Sequence, residues 1–267
     1  TDGYLSLKTD VPSVDVIHDL NFEEFPKDLP ATYSWYYRHF FSKYAEKAKR
    51  IATVSEYSKA DIVKRYHIAP EKIDVVYNGC AHLFEPVDEE TKRQTKQKYT
   101  DGRDYFVFVG ALHRRKNLSN LFKAFDEFRA KNDTETKLLI VGEKMFWTED
   151  IRKSYEQMQF KNEVVFAGRL ASAELKNVVA SALAMTYVSY FEGFGIPIIE
   201  AMNCDVPVIT SNTTSMPEVA GDAALIVDPL SIESISDAMR KIESDEGLRE
   251  KLIEKGRERA KLFSWDK

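Results

Sequence analysis

The sequence predicts an α/β protein with parallel sheets, arranged in two domains. From Tyr105 onward, short apolar runs alternate with segments of helical period, the pattern of a parallel sheet covered on both faces. The first 86 residues repeat that alternation more sparsely. At 267 residues, 43% of them hydrophobic, the chain is long enough for one large domain or two modest ones.

In the amino-terminal part, Val14–Ile17, Arg50–Val54 and Ile73–Val76 are expected strands, and Tyr33–Arg50 and Ser55–Tyr66 expected helices. Three strands and two long helices leave apolar faces that a fuller sheet would cover. Residues 1–86 therefore read as the later portion of a separate, incomplete domain. The charged stretch Asp88–Tyr99 is a helix or linker into the second domain, residues 87–267. There Tyr105–Val109, Lys137–Val141, Glu163–Ala167, Ala182–Val188, Val206–Thr210 and Ala223–Val227 are the expected strands. Leu118, Leu121, Phe122, Phe125 and Phe128 recur at helical spacing, which lays Asn117–Lys131 on the sheet by one apolar face. Ile232, Ile235, Met239 and Ile242 form a similar stripe. Six such strands make a doubly wound domain, where ligands bind beyond the carboxyl ends of the strands. Gly110–Asn117, Gly168–Leu170 and Phe191–Ile196 follow the first, third and fourth of them.

Composition excludes several classes of function. A formal charge of -5 argues against a nucleic-acid binder, which usually needs a clustered positive surface. Cys80 and Cys204 share no metal-type spacing and suggest reduced thiols in a cytosolic setting. No apolar stretch approaches the roughly 20 residues of a membrane span, and the start lacks the pattern of a signal peptide. A first residue other than Met leads us to expect a fragment or a processed chain.

Two segments point to a ligand. Gly110-Ala-Leu-His-Arg-Arg-Lys-Asn117 places three cations between a buried strand and a helix, where Arg and Lys would neutralise a diphosphate. The blander reading is a solvated loop ahead of a helix capped by Asn117. In Ser189–Glu200, a glycine-bearing loop opens a helix with Pro197 near its first turn, where free N–H groups favour phosphate. Glu192 and Glu200 flank the Gly-Phe-Gly turn, and each carboxylate is a good acceptor for vicinal sugar hydroxyls. Dinucleotide and P-loop glycine patterns are absent, and no Asp-x-Asp occurs to hold a divalent ion between phosphates. The positive charge then falls to Arg115, Lys116 and the helix start near Gly195 and Ile196.

These segments, with Gly168-Arg-Leu170, Pro207-Val-Ile-Thr-Ser211 and Pro217-Glu218, resemble the large family-four group of retaining, nucleotide-sugar-dependent glycosyltransferases. The resemblance spans nearly the whole chain, and the Glu-x7-Glu segment is its most diagnostic part. It implies the GT-B architecture, two Rossmann-like domains facing a cleft, with the amino-terminal one incomplete here. It also implies a hexose moved from a nucleoside diphosphate sugar to a hydroxyl acceptor, a glycan or lipid-linked saccharide, with no metal and no cofactor beyond the donor. In that scheme Glu200 accepts bonds from the ribose hydroxyls and Glu192 holds the transferred sugar. Arg115 and Lys116 bind the diphosphate, Gly193, Phe194, Gly195 and Ile196 meet the phosphate and sugar, and Leu170 lies against the base. Many relatives carry Arg directly after the strand-ending glycine; Ala111 stands there in this chain, so Arg114 or Arg115 would supply the charge.

Val16-Ile-His-Asp-Leu20 resembles the end of an amino-terminal-domain strand in the same family, which makes His18 a catalytic candidate beside Glu192. Tyr33, Trp35, Tyr36, Tyr37, Phe40, Phe41 and Tyr44 are expected to pack in the core or a domain interface. Their mildly basic flank, with relatives that act on lipid-linked acceptors, adds a minor expectation of weak peripheral contact with the inner face of a membrane, for a cytoplasmic protein. Relatives carry a longer amino-terminal portion with much of the acceptor surface, so the chain is expected to bind donor with transfer impaired. Two alternatives share these residues: a non-catalytic nucleotide-sugar-binding domain, and a sugar-nucleotide epimerase or phosphorylase of the same fold.

Overall fold

The structure, a computed structural model, describes residues 3–144 and 147–265. The chain forms two compact units. One runs up to Asn78 and includes Phe191–Gly195; the other comprises Gly79–Tyr190 and the residues from Ile196 onward. Both are α/β with parallel sheets, as the sequence predicts.

The first unit holds β1 (Val14–Val16), α1 (Asn21–Glu24), α2 (Ala31–Lys47), β2 (Arg50–Thr53), α3 (Glu56–Tyr66) and β3 (Ile73–Val75). Its three strands lie in the order β1-β2-β3, with Asp15 opposite Ile51 and Ile51 opposite Ile73. Helix α2 ends three residues before the predicted boundary because the sheet claims the backbone there: Lys49 N–H donates to the Ser13 carbonyl (2.8 Å) and Arg50 opens β2. Phe41, Tyr44 and Ala45 of α2 are buried with Ile17, Ile51, Ile62 and Ile73. The aromatic series divides, since Trp35 and Tyr33 are 63% and 57% exposed. Trp35 precedes Tyr37 by two residues, about 200° around the helix from the inward row Tyr37, Phe41 and Tyr44.

The second unit holds α4 (Glu89–Thr100), β4 (Tyr105–Val109), α5 (Leu118–Lys131), β5 (Lys137–Val141), α6 (Glu149–Glu156), β6 (Val164–Gly168), α7 (Ser172–Ala180), β7 (Ala184–Tyr187), α8 (Ile196–Asn203), β8 (Val208–Ser211), α9 (Met216–Ala220), β9 (Leu225–Val227), α10 (Ile232–Ser244) and α11 (Glu246–Ala260). The stretch after Asp88 is a helix, α4, whose first turn is capped by the Asp88 carboxylate accepting from Thr91 N–H (2.8 Å). The five apolar residues named on α5 are fully buried, each stabilising the fold by about 1.5–3 kcal/mol as an upper bound. Ile235, Met239 and Ile242 of α10 join the same core.

All six strands are parallel, in the order β6-β5-β4-β7-β8-β9. The chain winds outward from β4 in one direction and from β7 in the other, so their junction is the topological switch point, where ligands bind in open α/β sheets. Among the described residues no helix is long and apolar enough to cross a membrane.

Candidate functional site

At the carboxyl end of β4, Arg114–Lys116 form one tight turn, begun by His113, whose Nδ1 accepts from Arg115 N–H (3.3 Å). Lys116 is buried. Its Nζ donates to the Tyr187 hydroxyl (2.6 Å) and sits 4.8 Å from the centre of that ring. Arg115 is half-buried, and its carbonyl accepts from Tyr190 N–H (2.8 Å), tying this loop to the one after β7. Arg114 and Ala111 are exposed.

Asn117 does not cap α5 with its side chain. It sits in the left-handed region (φ 60°, ψ 31°), and its Nδ2 donates to the carbonyls of Val188 (2.9 Å) and Pro229 (2.8 Å). The residue after Lys116 is thereby stitched to the ends of β7 and β9. Asn120 Nδ2 adds bonds to the Pro229 carbonyl (3.0 Å) and the Tyr190 hydroxyl (3.1 Å).

Glu200 is the fifth residue of α8, with Pro197 second. It is half-buried, and among the described residues no hydrogen bond reaches its side-chain carboxyl; burial pushes that carboxyl up to about 7. The thiols of Cys80 and Cys204 are both free and buried. Burial above all pushes each thiol up to about 12, with smaller contributions from Glu200 on Cys80 and from Cys80 and Glu200 on Cys204, which favours the neutral thiol. A half-buried carboxylate lacking protein donors is suited to accept from ligand hydroxyls. Leu170 is half-buried two residues beyond β6, and Ile196, the first residue of α8, is 40% exposed.

The remaining candidates belong to the first unit. His18 is exposed, two residues beyond the end of β1. Glu192, Gly193, Phe194 and Gly195 are all buried, Glu192 to 6% exposure. A Cβ on Gly193 would lie 2.7 Å from Asp19 Cβ and 2.8 Å from the His18 carbonyl, so only glycine fits. Gly195 has φ +107°, a backbone that favours glycine. Phe191 packs on Phe25 and Tyr57, with ring centres 5.9 Å apart in both cases, and Phe194 lies 6.2 Å from Tyr77.

The structure thus gathers Arg115, Lys116, Leu170, Ile196 and Glu200 in the second unit, and His18 with Glu192–Gly195 in the first. Several residues of both sites carried no sequence signal of their own. Tyr187 reads only as a strand aromatic. Ser211 and Thr213, whose hydroxyls donate to the Ser189 carbonyl (2.6 and 3.4 Å), lie just past the expected strand Val206–Thr210, Ser211 closing a segment quoted only for the family resemblance. Ser55 and Ser58, which hold the Gly193 carbonyl, read as a helix start.

The Glycosyl transferases group 1 model matches residues 88–259, more than half of the chain, and the Glycosyltransferase Family 4 model matches residues 2–81. The chain is 29% identical to O-antigen chain mannosyltransferase B of Escherichia coli, over 95% of this chain and 67% of that protein. It is 31% identical to O-antigen chain mannosyltransferase RfbU of Salmonella typhimurium, over 78% of this chain and 55% of the relative. It therefore spans about two thirds or less of the length of these curated relatives. Among solved structures, HepE of Anabaena in complex with UDP and glucose shares the fold, with a TM-score of 0.81 at 17% identity, over 95% of this chain and 67% of that one. With two Rossmann-like units, the strand order of the second and these matches, the chain belongs to the Glycosyl transferases group 1 family, of the family-four type with the GT-B fold.

Proposed function

We propose that the chain acts in a retaining, metal-independent glycosyltransferase that moves a hexose from a nucleoside diphosphate sugar to a hydroxyl of a glycan or lipid-linked acceptor. The names of the two curated relatives favour mannose as the hexose. One observation carries the reading. The loop after β4, at the switch point, presents Arg115 and Lys116, and the chain leaving its neighbour β7 leads into α8 with the half-buried Glu200. Arg115 and Lys116 take the diphosphate, Glu200 the ribose hydroxyls, and Leu170 the base. Glu192 holds the hexose, and His18 orients it or stabilises the positive charge that develops on it.

In this mechanism the protein assists departure of the diphosphate. Cations and the N–H groups opening α8 stabilise the negative charge that develops on the leaving group. Glu192 and the glycine turn fix the hexose for attack, which is the entropic part of catalysis. The leaving phosphate takes the acceptor proton on the same face of the sugar, which gives retention without a protein nucleophile.

Titration calorimetry of the chain with UDP, GDP, ADP and their hexose conjugates, first without metal and then with magnesium, tests the reading. Binding of one nucleotide without metal, weakened by Lys116→Ala and Glu200→Ala, is expected; silence toward all of them overturns it. Formation of a glycosylated product separates the enzyme from a domain that only binds nucleotide sugars.

We also propose weak contact with the cytoplasmic face of a membrane through α2, supported by the exposed Trp35 stacked on His39 (5.3 Å) beside Lys43. Co-flotation with phosphatidylglycerol vesicles, absent with phosphatidylcholine and lost in Trp35→Ala, is the expected outcome. Equal flotation of the variant overturns it.

A further inference from the structure

Ser55 and Ser58 are 0% and 2% exposed, at the start of α3 just beyond the carboxyl end of β2. Ser55 is the N-cap residue, its Oγ accepting from Ser58 N–H (3.0 Å). Capping uses a lone pair and leaves the hydroxyl proton free. The two hydroxyls lie 3.0 Å apart, and both are within donating distance of the Gly193 carbonyl, Ser55 Oγ at 2.7 Å and Ser58 Oγ at 3.2 Å, the shorter contact being the one that takes the Ser55 proton. One carbonyl thus receives two buried donors, as many as its lone pairs can take. On either side, Phe191 and Phe194 are seated on aromatic rings, and the Gly193 Cα lies against Asp19 and the His18 carbonyl.

We infer that Ser55 and Ser58 are positioning residues for the loop that carries Glu192. The α3 backbone uses the Ser55 oxygen as its cap but neither hydroxyl proton, and it makes no demand on the Ser58 hydroxyl, which is turned to the peptide one residue beyond Glu192. With the carbonyl and both flanking rings fixed, the backbone that aims the Glu192 carboxylate is fixed as well. The inference rests on the proposed role of Glu192 in holding the transferred hexose. On that reading the serines act on the sugar half of the donor and leave the nucleotide half alone.

Two measurements on the intact chain test it. The first is the ratio of affinities for a sugar nucleotide and for the matching nucleoside diphosphate, using GDP-mannose with GDP and UDP-glucose with UDP. Ser58→Ala, which keeps the Ser55 cap, is expected to weaken sugar-nucleotide binding by about 2–10-fold and leave the nucleoside diphosphate within about twofold. Ser55→Thr, which retains both hydroxyl functions, is expected to behave as wild type. Parallel loss of both ligands in Ser58→Ala, at an unchanged unfolding temperature, overturns the inference. The second is peptide-resolved hydrogen exchange without ligand. The 191–195 segment is expected to lose protection in Ser58→Ala while the body of α3 keeps it, and unchanged exchange in that segment overturns the inference whatever the ligand results. Glu192→Gln tests the underlying reading separately: if it leaves sugar-nucleotide affinity intact, the role of Glu192 fails while the exchange result still decides the seat.

Discussion

The loops that follow β4 and β7 leave neighbouring strands of one sheet, and they are held in opposite ways. The first, Gly110–Asn117, is sewn into its own unit, with Lys116 on Tyr187 and Asn117 Nδ2 on the carbonyls of Val188 and Pro229. The second parts from its sheet after Tyr190, and its Phe191–Gly195 segment belongs to the other unit, seated on Ser55 and Ser58. The first grip turns on a charged side chain and an amide, the second on a bare carbonyl and a glycine. A loop that binds by side-chain charge can be fixed by side chains around it. A loop built round a glycine turn offers few side chains to hold, and it is fixed through its backbone carbonyl.

The largest effect is expected where the second grip has no slack. Gly193→Ala drives a methyl group into Asp19 and the His18 carbonyl, an overpacking that costs about 1–3 kcal/mol. A displacement of about 1 Å in that loop is expected to cut turnover of the sugar nucleotide by about 100-fold. Nucleoside diphosphate affinity, read by calorimetry, should hardly move; its collapse would mean that the two loops are not separable.

Next in size is the cation of the first loop. Lys116→Ala is expected to weaken a nucleoside diphosphate by about 10–100-fold, the worth of a charge-assisted hydrogen bond of about 1.5–3 kcal/mol. The bare nucleoside should bind as before, because the lysine is assigned only to the phosphates. Equal losses for both ligands would take that role from it.

Asn117 sharpens the contrast at the level of stability. Asn117→Gly keeps the left-handed backbone and removes two amide bonds, for a loss of about 1–3 kcal/mol. Asn117→Ala adds the left-handed penalty of about 1–2 kcal/mol, so it should melt below the glycine variant. Urea titration orders the two, and the reverse order would mean that backbone conformation does not matter there.

The last effect is electrostatic and is read only through its pH dependence. Folding raises the Glu200 carboxyl from about 4.5 to about 7, so the folded chain holds this proton more tightly than the unfolded chain. The stability linked to it is complete below about pH 4.5 and is lost as pH rises toward about 7. Glu200→Gln removes the ionisation, so its melting temperature should gain on wild type between about pH 5 and pH 8. Parallel melting curves across that range would show that Glu200 titrates as an ordinary exposed acid.

Much of the frame was legible in residue order. The apolar runs from Tyr105 onward gave the strands of the larger sheet, and the α5 and α10 stripes gave the helices that cover it, because burial of a periodic face dictates local structure. Helix α11 escaped because its buried residues, Leu252, Gly256 and Ala260, include two small ones that draw no apolar stripe. The end of α2 was misplaced because the sheet, through Ser13 and Lys49, decided it.

The candidate site divides along the same line. Arg115, Lys116, Glu192, Gly193 and Glu200 declare themselves by charge, by missing side chains and by position after a strand or at a helix start, all local properties. That Lys116 rests on Tyr187, that Asn117 reaches two carbonyls instead of capping its helix, and that Ser55 and Ser58 close on Gly193 are pairings across 71 to 138 residues of sequence. A hydroxyl or an amide has no partner written into its neighbours. It acquires one only when folding removes water and leaves a buried carbonyl that must be satisfied, and that decision belongs to the tertiary structure.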